Sequence, residues 1–173
     1  MPRPCERLGR NRKIEPTRIS VASSQNDTGE LNKEQATRAC DVLRRTPLIQ
    51  LSNVTIPDAS AKLQSLPPEA ALDVVLRFRA ADAMKVNIRG ITFSYDPATK
   101  LLKRGETAAA IHPGKSVDAR FLIDRGIVES FWNGGESAHS VGSLHTDQGP
   151  AFAIEGSAII EELVFYPMAD IWK

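Results

Sequence analysis

The side chains best suited to chemistry gather in one stretch, residues 117–142, VDARFLIDRGIVESFWNGGESAHSVG. Two carboxylates, Asp124 and Glu129, stand on either side of Arg125-Gly126. Such a pair is the equipment of retaining glycoside hydrolysis, provided the two groups sit about 5–5.5 Å apart across a sugar pocket. A second constellation is aromatic. Trp132 lies beside Asn133 and Glu136 at a hairpin tip, and Tyr95 lies beside Asp96. An exposed ring flanked by amide and carboxylate groups makes a platform for a sugar ring, so Trp132, Asn133, Glu136 and Tyr95 are the candidate sugar contacts. The competing place for Trp132 is the core or an interdomain contact, where large aromatics on strands usually sit.

Other chemistries find less support. Ser143, His145 and Asp147 alternate along one segment, whereas a triad needs partners that converge in space. His112, His139 and His145 lack metal-ligand spacing, and Cys5 and Cys40 have no CxxC partner. No P-loop and no GxGxxG occurs, so neither a metal nor a cofactor is expected.

The 173 residues suffice for one domain with a real core, and 42% hydrophobic and 25% charged residues are globular values. A net charge of +1 gives no basic field for nucleic acid. No apolar run reaches the roughly 20 residues of a membrane span, and the basic start lacks the apolar core of a secretory signal. The expectation is a soluble chain of unresolved compartment, with neither a nucleic-acid nor a membrane partner.

Residues 1–29 read as a disordered basic leader, rich in arginine and interrupted by Pro2, Pro4 and Pro16. Residues 30–46 predict a short helix and linker, with Arg44 and Arg45 at its C-terminal end and Pro47 as the stop. From Leu48 the pattern turns to β. A short strand pair or one bent strand ends before Pro57, followed by a loop with Pro67-Pro68. Leu72, Val74, Leu76 and Phe78 then alternate with Asp73, Val75, Arg77 and Arg79, the period of a half-buried strand. Further short strands fall around Val86, Phe93, Leu101, Thr107, Ile154 and Val164, punctuated by Gly, Pro, Asn and Asp. Residues 139–150 read as a polar stretch. Asp96-Pro97-Ala98-Thr99 has the chemistry of a type I turn. The fold class expected of residues 48–173 is all-β, an antiparallel β-sandwich of concanavalin A-like or jelly-roll type.

Within the central hairpin the faces depend on the turn. A two-residue turn at Arg125-Gly126 pairs Ile123 with Val128, Phe121 with Ser130 and Ala119 with Trp132. Arg120, Leu122, Asp124, Ile127, Glu129 and Phe131 then share the other face. A three-residue turn would instead pair Phe121 with Glu129, and the sequence leaves both open. In either register Glu129 lies between Ile127 and Phe131, so it needs a partner. Arg120, or else Arg77 or Arg79, is the candidate for a buried ion pair. Asp124 is expected to hold the turn by accepting backbone N–H groups.

Asp124-Arg125-Gly126-Ile127-Val128-Glu129-Ser130-Phe131, followed by Asn133 and Gly135, resembles the "D-R-S-S-V-E-V-F-x-N-D-G" signature of glycoside hydrolase family 32. That signature belongs to the C-terminal β-sandwich of levanases, inulinases and invertases. Asn87-Ile88-Arg89-Gly90 with Ser94-Tyr95-Asp96 resembles the "N-I-R-G … Y-D" of levanase-like members. Gly156-Ser157-Ala158, Tyr166-Pro167-Met168 and Ile171-Trp172 resemble the closing segment. The departures are Gly126, Ile127 and Ser130. The resemblance implies that Asp124, Arg125, Glu129, Phe131, Asn133 and Gly135 are structural signature residues of a non-catalytic module. The family's catalytic segments, "W-M-N-D-P-N-G", "R-D-P" and "E-C", lie in a five-bladed propeller, and none occurs in this sequence. The resemblance therefore implies a truncated or split copy with no catalytic residues, partnered by a glycosidase propeller or a fructan-type carbohydrate. The alternative is a stand-alone lectin-like carbohydrate-binding protein, for which Trp132 should be exposed.

Overall fold

The computed structural model describes residues 41–66, 71–124, 126–142 and 152–169. The leader and most of the helix expected over residues 30–46 lie outside them, as do Arg125, Ser143, His145, Asp147 and Trp172.

Among the described residues, eleven strands form two antiparallel sheets. They are β1 (Ile49–Thr55), β2 (Ala71–Arg79), β3 (Met84–Ile88), β4 (Ile91–Asp96), β5 (Leu101–Arg104), β6 (Thr107–Ala110), β7 (Ser116–Asp124), β8 (Ile127–Trp132), β9 (Ser137–Gly142), β10 (Phe152–Gly156) and β11 (Ile159–Pro167). The larger sheet runs β1-β11-β2-β7-β8-β9 and the smaller β10-β3-β4-β5-β6. This is the expected sandwich. Its core is built by alternation. Leu72, Val74, Leu76 and Phe78 of β2 and Val117, Ala119, Phe121 and Ile123 of β7 are all buried, facing Val86, Ile88, Phe93 and Leu102 of the smaller sheet. A row of rings crosses the interior. Phe93 meets Phe121 at 5.8 Å between centroids, Phe121 meets Phe152 at 5.9 Å, and Phe152 meets Phe165 edge-on at 4.9 Å. Such contacts add to the burial term through ring quadrupoles.

Three local expectations are corrected. Pro57 does not end a strand into a loop; it opens helix α1 (Ile56–Leu63). Thr55 caps that helix by accepting the Asp58 N–H, Pro57 lies in the first turn where its missing N–H costs nothing, and Ile56, Ala59 and Leu63 are buried. The expected helix through Arg45 gives way before Arg44, which bridges to Met168. Arg45 N–H bonds Pro167 O at 3.0 Å and Leu48 N–H bonds Phe165 O at 2.9 Å, so this segment is drawn alongside β11. Finally, the polar stretch begins as an edge strand, β9, paired in register with β8.

The turns follow their chemistry. Asp96 accepts the Ala98 N–H and the Thr99 hydroxyl, as expected. At the end of β10, Gly156 adopts φ +128 with the Ala83 carbonyl oxygen against the position a Cβ would take. Only glycine fits that approach.

Candidate functional site

The β7–β8 hairpin adopts the two-residue register. Ile123 pairs with Val128, Phe121 with Ser130 and Ala119 with Trp132. Val128, Ser130 and Trp132 point inward and are buried, leaving Ile127, Glu129 and Phe131 on the outer face of the larger sheet.

Asp124 is exposed at the hairpin end, where its charge is felt by Arg89 of the β3–β4 hairpin. Burial lowers the Arg89 pKa and Asp124 opposes that. Glu129 stands half-buried opposite Leu122. The two carboxylates are thus diagonal neighbours on an open sheet face.

The buried ion pair exists, but with another carboxylate. Arg120 grips Asp73 with two nitrogens, Nε to Oδ1 at 2.9 Å and Nη2 to Oδ2. Arg44 Nε reaches the same Oδ2 at 2.7 Å, and its guanidinium lies 4.4 Å from the Tyr166 ring centre. Asp41 accepts from Arg120 at 3.0 Å and forms an ion pair with Arg44 at 3.3 Å. Asp73, on what the alternation marked as the solvent face of β2, is therefore 0% exposed. Its signal was present: a carboxylate inside the apolar run Leu72-Asp73-Val74-Val75. Among the described residues Glu129 makes no ion pair, and Arg77 pairs with Asp118 instead.

The candidate sugar contacts separate. Trp132 is 1% exposed, edge-on to Phe121 at 5.4 Å and 5.7 Å from Phe93. Tyr95 is 3% exposed, packs against Phe78 and donates its hydroxyl to Ala80 O at 3.1 Å. Burial raises the Tyr95 pKa, with Asp96 adding to it. Neither ring is the exposed platform a sugar would stack on. Asn133 and Glu136 remain together at the surface. Asn133, at φ 50, opens a 3-10 turn (Asn133–Gly135) in which Gly134 and Gly135 also take positive φ. Glu136 accepts from Asn133 Nδ2, from the His112 N–H at 2.8 Å and from the His112 ring. These bonds, the His112 N–H foremost, hold the Glu136 pKa down to about 2. The carboxylate thus ties the β6–β7 loop to the β8–β9 turn. Among the described residues no group of three or more His, Cys, Asp and Glu could hold a metal ion, and no helix is long and apolar enough to cross a membrane.

Comparison with solved structures finds this architecture elsewhere. The exo-inulinase from Aspergillus awamori superposes with a TM-score of 0.57 at 16% identity, over 78% of this chain and 32% of that one. The sucrose-6-phosphate hydrolase from Lactobacillus gasseri gives 0.57 at 14% identity, over 75% and 29%. The resemblance read from the hairpin holds at the level of fold. The chain spans about a third of the length of these enzymes. No family model matches the chain, and no curated protein matches it.

Proposed function

We propose that this chain is a non-catalytic β-sandwich module of the fructan- and sucrose-hydrolase type, whose role is to pack against a catalytic propeller domain. The asymmetry of coverage carries the reading: most of this chain matches less than a third of each enzyme. The outer face of the larger sheet supports it. Ile127 is 52% and Phe131 38% exposed there, beside the half-buried Leu122. An apolar strip on a sheet face is more use to a partner domain than to solvent.

The test is direct. Purified chain is incubated with levan, inulin and sucrose, and released sugar is measured alongside binding of the same carbohydrates. The expected outcome is no turnover and no saturable binding. Turnover would overturn the non-catalytic reading. Saturable binding without turnover would replace it with the lectin-like one.

A further inference from the structure

Three buried side-chain atoms among the described residues lack a hydrogen-bond partner: Arg104 Nε, Ser130 Oγ and Trp132 Nε1. They are not scattered. Phe93 is the cross-strand neighbour of Arg104. The Phe93 ring lies 5.7 Å from that of Trp132 and 5.7 Å from that of His139. Ser130 stands directly opposite His139 on the β8–β9 pair, and Trp132 opposite Ser137. Ser137 Oγ is 3.2 Å from His139 Nε2. These five polar groups therefore gather about the buried Phe93 ring, on the inward side of β5, β8 and β9.

Their chemistry restricts what can sit among them. An arginine Nε–H and an indole N–H are donors only, so the occupant must be an acceptor, which rules out a metal cation. Ser130 is 0% exposed and Trp132 is 1% exposed, and a buried donor left unmade is costly, so the position calls for filling. Arg104 also makes no ion pair among the described residues. Water could accept the hydrogen bonds but would bring no opposite charge beside Arg104, which is half-buried. An anion does both. The same charge reaches His139, whose pKa is lowered first by burial and then by Arg104. A neutral imidazole can still donate one N–H, so this leaves the cluster donor-rich.

We propose that Arg104, Ser130 and Trp132, flanked by Ser137 and His139, form a binding site for a small oxyanion, a carboxylate or a phosphate-type group, between the two sheets. The site is independent of the packing role proposed above. Arg104 supplies the charge-assisted bond, Trp132 Nε1–H and Ser130 Oγ–H supply the fixed directions, and Phe93 closes the floor.

Trp132 reports on the site directly through its indole N–H resonance. The chain has two tryptophans, so Trp132→Phe assigns the signal. Wild-type protein is titrated with inorganic phosphate, with acetate and with fructose, each at ionic strength matched with sodium chloride. The expected result is a saturable shift of the Trp132 resonance with phosphate or acetate, the stronger of the two naming tetrahedral or planar geometry. Fructose should leave it unmoved. Arg104→Gln should weaken binding roughly ten- to hundredfold, the range for a hydrogen bond to a charged group. Arg104→Lys, which keeps the charge and packs more like the native side chain, should fall between. A resonance unmoved by either anion, or moved equally in Arg104→Gln, means that water alone fills the gap and overturns the proposal. So does a shift with fructose instead of the anions.

Discussion

Asp73 is the position at which one atom's change should cost most. Its carboxylate is fully buried on the outer side of β2, held by Arg120 and Arg44, whose side chains are only 14% and 21% exposed. Asp73→Asn preserves shape but removes the charge, leaving two largely buried guanidinium groups beside Asp41, a carboxylate of the described residues that is 45% exposed. Breaking a buried pair on one side costs about 3–5 kcal/mol, because the surviving charge stays desolvated. Against a total stability of about 5–15 kcal/mol, that is a large share. For a domain of this size it corresponds to a fall in Tm of roughly 10–20 °C. Urea denaturation of the variant, followed by tryptophan fluorescence, measures it. The control is Arg77→Gln, which breaks the Arg77–Asp118 pair, 49% exposed on both sides. An exposed pair contributes about 0–1 kcal/mol, so the control should lose little. Replacing the cluster together, Asp73→Leu with Arg120→Leu and Arg44→Met, should recover much of the loss, since well-packed apolar groups substitute for buried ion pairs. If Asp73→Asn loses no more than Arg77→Gln, the cluster is not the staple described here.

Three further outcomes are expected. Trp132→Ala should destabilise by about 3–5 kcal/mol in the same assay, as truncation of a buried aromatic does, whereas a platform at the surface would be lost with little change in stability. Glu136 has a folded pKa of about 2 against an ordinary 4.5, so its bonds stabilise above pH 4.5 and are lost as pH falls toward 2. The Tm difference between wild type and Glu136→Gln should accordingly be full at neutral pH and shrink across that window; a pH-independent difference would contradict the carboxylate's role. Gly156→Ala should destabilise by roughly 1–3 kcal/mol, since its positive φ and the Ala83 carbonyl oppose a Cβ together.

Much of the fold was legible because alternation reports burial where the buried face is apolar. β7 and β8 follow that rule, β2 follows it except at Asp73, and the hairpin takes one of the two registers the sequence left open. β9 escaped notice because its inward positions are Ser137, His139 and Val141 rather than a run of apolar residues. Helix α1 escaped because Pro57 was read as a terminator, although Thr55, Pro57 and Asp58 together spell a helix start. The site residues divided by the range of their partners. Asp96 bonds within its own turn and was legible. The partner of Arg120 was not, because two nearby carboxylates on adjacent strands compete for it, and the choice was made by Arg44 arriving from a distant part of the chain.

That arrival divides the outer face of the larger sheet in two. Over β11 and β2, Arg44 and Arg45 lie along the strand, Asp73 and Val164 are fully buried, and every charge in the cluster has an opposite neighbour. Over β7 and β8, Leu122, Ile127 and Phe131 surround Glu129 with no segment of the described chain drawn across them. A sheet evolved for water on this side would place polar residues at Ile127 and Phe131, as it does at Arg77 and Asp118. One half is covered by the chain itself. The other keeps a half-buried carboxylate among apolar side chains, and a cationic group on a docking partner would complete it as Arg44 and Arg120 complete Asp73. Ile127→Asp with Phe131→Asp should therefore leave the urea midpoint of the isolated chain within roughly 0.5 kcal/mol of wild type, the tolerance of an exposed position. A loss as large as that of Asp73→Asn would mean that these residues serve the module's own core, and that this half of the face is not a docking surface.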